Sequence, residues 1–270
     1  MSDRKAVSVS FDSKTTLDEV NIKVEKWAER KQEELKTLKT LEDYRKNYVG
    51  NVSHELKTPI FSIQGYLLTL IEGGMYDEKI NIKYLKKALS NTERLQTIVN
   101  DLEMITQLDS QKETITIEPF DVIKTIKSAI EDLEGLSMEE KIDLILNYNL
   151  TDRLVVLGDK NKIRQVIYNL LVNSIKYGKE NGRTIIQISS INDEVLIEVS
   201  DNGIGIEDKH LKHIFDRFYR VDPSRSRTLG GSGLGLAIVK HIIEAHNQNI
   251  NVRSTMNEGS TFGFTLKKGK

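Results

Sequence analysis

Cysteine is absent from the 270 residues, which excludes disulfides, thiolate metal sites and a cysteine nucleophile. Proline is nearly absent, with three residues against a usual usage of about 5 %, so long helices can run uninterrupted. No apolar stretch approaches the roughly 18 residues that a membrane-spanning helix requires. The first 18 residues are polar and lack the apolar centre of a secretory signal. An excess of one charge sign is also missing. Thirty-nine Lys and Arg against 40 Asp and Glu leave a net charge of -1, which argues against a nucleic-acid partner, since such binders carry a basic excess. What is present is 29 % charged and 38 % hydrophobic residues, the balance of a folded, helix-rich chain. These features predict a soluble intracellular protein, or the soluble part of a longer one. At about 150 residues per domain the length predicts two domains.

The pattern changes near residue 110. Before it there is almost no strand signal. From Leu17 a 3-4 spacing runs through Val20, Val24, Trp27, Leu38, Leu41, Tyr48 and Val52. Eight of the eleven seam positions between 17 and 52 are apolar, with Lys31, Glu34 and Arg45 the exceptions, an imperfect coiled-coil seam. Helical spacing continues through Leu56, Ile60, Ile63, Leu67 and Leu70, and Gly73-Gly74 stops it. A second helix is predicted through Leu85, Leu89, Thr92, Leu95, Val99, Leu102 and Ile105. The two form an antiparallel hairpin, and pairing two copies into a four-helix bundle buries both stripes.

After about Thr114 strands and helices mix. Strands are predicted at Ile115-Ile117, Leu144-Leu146, Val155-Leu157, Thr184-Ser190, Val195-Ser200, Ile250-Ser254 and Thr261-Leu266, with Asn192-Asp193 at a turn. Helices are predicted from Asp121 to about Leu133, from Lys160 to Lys176, and from Gly235 to about Ala245. This mixture reads as an α+β sandwich.

The most unusual local sequence is Ser53-His54-Glu55-Leu56-Lys57-Thr58-Pro59. His54 lies about 200° around the helix from Val52 and from Leu56, so it points away from the seam. Glu55 is its neighbour and Thr58 lies one turn along the same face. Pro59 cannot donate to the carbonyl of Glu55 and should loosen or kink the helix there. A lone histidine in such a place is usually an ordinary surface residue. Here the adjoining acid, hydroxyl and proline suggest a phosphoryl acceptor: an imidazole oriented through one nitrogen can attack through the other. His210, His213, His241 and His246 lack this pattern.

Three further blocks carry recognisable chemistry. Asn169 and Asn173 are one helical turn apart, and an amide oxygen is a hard neutral ligand that suits Mg²⁺ held mainly by phosphates and water. Asp201 ends a strand and opens Asp201-Asn202-Gly203-Ile204-Gly205. A carboxylate there can accept from the adenine amine and reject the guanine carbonyl, while the glycines let backbone approach closely. Gly231-Ser232-Gly233-Leu234-Gly235 opens a helix whose N–H groups suit phosphates. It is neither a P-loop nor a dinucleotide fingerprint. Alone, the Asn pair reads more readily as caps or surface residues and the second block as a turn, and a glycine-rich helix start says little.

Taken in order, these blocks resemble the catalytic core of the sensor histidine kinases of bacterial two-component systems. SHELKTP looks like the H box, NLLVNSIKY the N box, DNGIGI the G1 box, IFDRFYRVD the F box and GGSGLGL the G2 box. Ser174 and Gly178 depart from the commoner N-box residues. The resemblance implies an all-α dimeric four-helix-bundle domain followed by an α+β sandwich of the GHKL (Bergerat) type. It divides the chain into a signalling helix over 1-44, a dimerisation and phosphoacceptor domain over 45-110 and an ATP-binding domain over 111-270. It implies that His54 is phosphorylated through Nε2, that Glu55 is the base or orienting acid, and that Thr58 positions water in the reverse, phosphatase reaction. It further implies that Asn173 binds Mg²⁺ with Asn169 beside it, that Lys176 meets phosphate and that Tyr177 lies along the base. Asp201 would read adenine, Gly203 and Gly205 would line the pocket, Arg220 would reach the γ-phosphate, and Gly231, Gly233 and Gly235 would shape a lid hinge. The partners implied are ATP, a response regulator receiver domain and a second copy. A membrane would be met only through an upstream segment that anchors the longer protein in the bacterial inner membrane. Two rivals stand beside this reading: an ATP-driven clamp in which no histidine is phosphorylated, and a non-catalytic dimeric scaffold.

Overall fold

The computed structural model describes residues 17–109, 115–148, 154–221 and 232–269. The chain divides into two compact units between His54 and Glu55. In the first, the described residues form a single helix, α1, which continues past the boundary and spans Leu17–Ile71. Its seam residues Val24, Trp27 and Leu38 are 56 %, 63 % and 54 % exposed, so one copy leaves the seam unburied. Two of the residues that interrupt the seam pair with each other, Lys31 Nζ donating to Glu34 at 2.6 Å. The helix runs through Pro59 without a break, so the proline removes one hydrogen bond but does not end it.

The second unit opens with the rest of α1. Gly73 turns the chain at φ 124°, where a side chain would be strained. Gly74 allows close packing, since a Cβ there would lie 2.7 Å from the carbonyl oxygen of Thr69. α2 (Asn81–Asp109) then returns antiparallel to α1. Glu55 meets Arg94 at 3.4 Å, and nearer the turn Tyr66 packs on Tyr84 at 5.3 Å between ring centres. The apolar face of α2 differs from the expected stripe. Ala88, Ile98 and Ile105 are buried, while Leu85, Leu89 and Val99 stay 46 %, 59 % and 41 % exposed. α2 therefore has two apolar faces, and a single 3-4 stripe captured only part of each.

The remainder is a seven-stranded sheet with helices packed on it. Its strands are β1 (Glu118–Asp121), β2 (Ile142–Tyr148), β3 (Val155–Gly158), β4 (Gly182–Ile191), β5 (Glu194–Asp201), β6 (Ile250–Thr255) and β7 (Gly259–Lys268). The order is β1-β3-β7-β5-β4-β2, with β6 beside the first part of β7. β4–β5 and β6–β7 are antiparallel hairpins, whereas β2 pairs parallel to β4. The helices are α3 (Val122–Glu140), α4 (Lys160–Lys176), α5 (Asp208–Leu211) and α6 (Gly235–Ala245). α4 packs against both α3 and α6. The alternation of β5 sends Val195, Ile197 and Val199 into the core beside Ile126, Ile167, Leu171, Ile238 and Phe264. Burying each such side chain contributes about 1.5–3 kcal/mol.

Two aspartates start α3 and α4. Asp121 Oδ1 accepts from the N–H of Ile123 at 3.0 Å and Lys124 at 3.4 Å, and Asp159 Oδ1 from Asn161 at 3.0 Å and Lys162 at 3.1 Å. Each cap contributes about 1 kcal/mol. Buried His246 ties α6 to the second cap: the Asp159 N–H donates to its Nε2 at 2.9 Å, and its Nδ1 donates to the Ile242 carbonyl at 2.8 Å. Those two bonds give His246 a structural role.

Two boundaries differ from expectation. The first strand lies at Glu118–Asp121, not Ile115-Ile117, because pairing with β3 sets it: Phe120 faces Val156. Pro119 is tolerated because β1 is an edge strand. α3 continues past Leu133 to Glu140, since Leu136 and Ser137 still pack inward and Lys141 closes the helix at φ 55°.

Candidate functional site

α4, the end of β5, the segment before residue 221 and the start of α6 bring their polar side chains to one region. Asn169 and Asn173 follow one another by a turn along α4, both half-buried. The Asn169 Nδ2 is buried and has no hydrogen-bond partner among the described residues. Its amide lies 3.9 Å from where a Cβ would stand on Gly235, so the first turn of α6 borders it. An orphaned buried amide donor costs about 1–3 kcal/mol and fits a site whose acceptor is supplied by a ligand.

Lys176 ends α4. Burial pushes its pKa down, the Arg94 charge adds to this, and Asp101 opposes it. Tyr177 remains 37 % exposed; partial burial raises its pKa and the charge of Arg220 opposes that rise. The Tyr177 carbonyl accepts from the N–H of Ile204 at 3.1 Å, which holds the turn after β5 against the end of α4.

That turn is built on Asp201. Its Oδ1 accepts from the N–H of Gly203 at 2.8 Å and of Ser260 at 3.3 Å. Burial raises its pKa, and these two N–H bonds oppose the rise. Asn202 Oδ1 is used structurally, accepting from the Arg183 N–H at 2.9 Å. The close approach that the glycines permit is to protein backbone: a Cβ on Gly203 would lie 2.2 Å from the Tyr177 carbonyl oxygen, and one on Gly205 2.1 Å from that of Thr255.

Arg220 Nη1 donates to Glu55 at 3.1 Å, and Arg94 Nη2 reaches the other oxygen of Glu55 at 3.4 Å. The carboxylate of Glu55 thus receives two guanidinium groups. Gly233 (φ 74°) packs on Phe218 (φ 63°), whose N–H donates to the Gly233 carbonyl at 2.9 Å. This bond joins the Phe-rich segment to the glycine loop. Gly231 lies outside the described residues. His54 and Thr58 lie on α1, His54 exposed and Thr58 half-buried. Elsewhere, His210 bonds the Tyr219 hydroxyl at 2.7 Å and His213 bonds Asp216 at 2.9 Å.

Sequence reasoning missed Arg94 and Asp101. Both come from α2, and Asp101 accepts from Ser232 at 2.9 Å across 131 residues of sequence. The available signal was the spacing Arg94, Ile98, Asp101, Ile105, a second helix face in which buried isoleucines alternate with charge.

Residues 44–111 match the His Kinase A (phospho-acceptor) domain family, and residues 158–270 match the histidine kinase-, DNA gyrase B- and HSP90-like ATPase family. The sensor histidine kinase WalK of Bacillus subtilis is 38 % identical over 229 residues, covering 84 % of this chain and 37 % of that protein. The sensor protein kinase WalK of Staphylococcus aureus is 36 % identical over 228 residues, covering 84 % and 54 %. The chain therefore spans about a third to a half of the length of these relatives. Among solved structures, the Acinetobacter baumannii histidine kinase AdeS aligns with a TM-score of 0.66 at 25 % identity, covering 80 % of this chain and 98 % of that one. The histidine kinase ThkA, solved in complex with the response regulator protein TrrA, shares the fold at a TM-score of 0.63 and 24 % identity, covering 83 % and 61 %. A phosphoacceptor domain followed by an ATPase domain, in one chain and in that order, places this protein among the sensor histidine kinases of two-component systems.

Proposed function

We propose that the chain is an ATP-dependent protein-histidine kinase that phosphorylates His54 and passes the phosphoryl group to an aspartate of a response regulator receiver domain. The observation that carries this reading is the orphaned Asn169 amide, one turn from Asn173 and two from Lys176 on the same helix. In this reading residues 1-44 transmit the signal, 45-110 dimerise and accept phosphate, and 111-270 bind ATP. The longer protein is anchored in the bacterial inner membrane by an upstream segment. In the described residues no helix is long and apolar enough to cross a membrane.

Each side chain then has a task. Asp201 accepts from the adenine amine and Tyr177 lies along the base. Gly203 and Gly205 shape the pocket, and Gly231, Gly233 and Gly235 shape the lid hinge. Asn169 donates its N–H to a phosphate oxygen. Lys176 and Arg220 neutralise phosphate charge, Arg220 at the γ-phosphate. Asn173 offers an amide oxygen that fits Mg²⁺, a cation that neutralises phosphate charge when bound. The lone pair of His54 Nε2 attacks the γ-phosphorus, the bond to the β,γ-bridging oxygen breaks, and ADP leaves with that electron pair. Glu55 orients the imidazole or takes its proton, for which it must leave at least one of its two arginines. The receiver aspartate then attacks phosphorus, the P–N bond breaks, and His54 is restored. A loose transition state needs little more than this positioning and charge neutralisation.

Incubation with Mg²⁺ and γ-labelled ATP tests the reading against its rivals. A kinase retains label on the protein. A clamp of the gyrase type releases phosphate and retains no label, and a scaffold neither releases phosphate nor retains label.

Ile60, Phe61, Leu67 and Leu68 on α1 and Leu85 and Leu89 on α2 are exposed in one copy. Their alignment along the hairpin supports a homodimer that buries both stripes. Sedimentation equilibrium is expected to return twice the chain mass at micromolar concentration, and a monomer mass would contradict the dimer.

Thr58 separates two activities. A threonine hydroxyl is too weak a base to help His54 attack ATP, but it can hold a water. Hydrolysis of the regulator's phospho-aspartate needs such a water and no nucleotide chemistry. Thr58→Ala is therefore expected to spare autophosphorylation and slow regulator dephosphorylation by about five- to a hundredfold, the effect of losing one bond of about 1–3 kcal/mol. Loss of phosphate from purified phosphorylated regulator checks this. Equal rates with both proteins would remove Thr58 from the reaction.

A further inference from the structure

α2 reaches the ATP-site region with an anion. Asp101 accepts from Ser232 Oγ at 2.9 Å, and Ser232 Oγ in turn accepts from the N–H of Leu234 at 3.2 Å, just ahead of α6. Lys176 at the end of α4 is near enough that its charge and that of Asp101 attract one another. Below Asp101 on the helix, Ile105 enters the core, with Leu102 packed against it. Among the described residues, α2 thus meets this region through the apolar side chains of Leu102, Met104 and Ile105 and through the carboxylate of Asp101.

The surroundings of that carboxylate are those of a phosphate: a lysine, a hydroxyl and the amino end of a helix. We propose that Asp101 occupies part of the nucleotide's phosphate subsite, so that α2 and the polyphosphate compete for Lys176 and the glycine loop. Without nucleotide, Asp101 holds the loop and the end of α4 against α2. A nucleotide brings several negative charges to the same cation, displaces the single carboxylate and loosens α2 from α6. Nucleotide occupancy is thereby converted into a change in how the helical hairpin is held. This rests on the reading of Asn169, Lys176 and Asp201 as an ATP site.

The charge is the element to remove. Asp101→Asn keeps the size of the side chain and can still accept from Ser232, but it neither repels phosphate nor attracts Lys176. Calorimetric titration with Mg²⁺ and ADP is expected to show about tenfold tighter binding for Asp101→Asn than for wild type, the scale of one partly buried charge–charge interaction. A second readout follows docking. Because the chain has no cysteine, cysteines placed at exposed Glu103 on α2 and Lys240 on α6 are the only labelling sites, and dimers formed with an excess of cysteine-free chain carry one spin pair each. Their distance distribution is expected to broaden when ADP is added to the protein with Asp101, and to be broad already in Asp101→Asn without nucleotide. Affinity unchanged or weakened in Asp101→Asn would overturn the competition, as would a distance that ADP leaves unmoved. Wild type that binds no nucleotide at all would overturn the ATP site itself, and the competition with it.

Discussion

His54→Gln is expected to abolish autophosphorylation while leaving ATP affinity within about twofold of wild type. Glutamine has roughly the reach of histidine and can hydrogen-bond, but its amide nitrogen has no lone pair available to attack phosphorus. His54 is exposed on α1, so the change removes no core contact, and substitutions at such positions usually alter stability by less than about 0.5 kcal/mol. Apart from Arg220, which bonds Glu55 next to His54, the residues assigned to ATP lie on α4 and its end, on β5 and the turn after it, and in the glycine loop. Titration with ATP and Mg²⁺ and incubation with γ-labelled ATP, performed on the same preparation, check the two halves of the expectation. Label retained on the variant would mean that another residue is the acceptor. Loss of ATP affinity would mean that His54 contributes to binding.

Asp201→Asn is expected to act in the opposite way, on binding. In the proposed site the carboxylate accepts the adenine amine in a charge-assisted bond of about 1.5–3 kcal/mol, so its loss should weaken ATP binding by roughly ten- to a hundredfold. ATP-over-GTP preference should narrow as well, because an Asn side chain can rotate to present its NH₂ to the guanine carbonyl. Stability should not fall. Burial raises the pKa of Asp201 above the ordinary carboxylate value, so the folded protein holds the ionised form at a cost. The stabilising effect of a raised pKa is present in acid and is lost as pH rises through the folded-state value. At neutral pH the wild type bears that cost, and Asn has no charge to desolvate. It also keeps an oxygen for the N–H groups of Gly203 and Ser260. Asp201→Asn should therefore melt at or above the wild-type temperature while binding ATP poorly. Scanning calorimetry paired with nucleotide titration checks this. A destabilised variant would show that Asp201 serves the fold before the ligand.

Much of this arrangement is legible in the sequence where local rules dominate. α4 begins one residue after the capping Asp159 and ends at Lys176, as its amphipathic spacing requires. The β4–β5 hairpin turns at Asn192, which takes φ 51°, a conformation that asparagine tolerates. The i, i+4 placement of Asn169 and Asn173 follows once the helix is known. What was not legible depends on packing between distant segments. Ile115 and Ile117 alternate as a strand does, yet the ladder starts at Glu118 because β3 decides the register. The carbonyls that Gly203 and Gly205 let approach belong to Tyr177 and Thr255, contacts that the motif alone does not announce. The pairing of Glu55 with Arg94 and Arg220, and of Asp101 with Ser232, joins α1 and α2 to residues far along the chain. Motif order carries no information on such pairs.

The central claim is that an imidazole, and this imidazole, carries the phosphoryl group. The most direct measurement labels the wild-type chain with γ-labelled ATP and Mg²⁺, digests it with trypsin under alkaline conditions and locates the label. Cleavage after Lys46 and Lys57 gives a peptide over residues 47–57, which contains Tyr48, Ser53 and His54. A phosphoramidate on His54 survives alkali and is lost in acid, whereas a phosphate ester on Ser53 or Tyr48 survives acid. The account predicts that all label migrates with this peptide, resists alkali and disappears within minutes of acidification. Label that is stable in acid, or that resides on any other peptide, would contradict it.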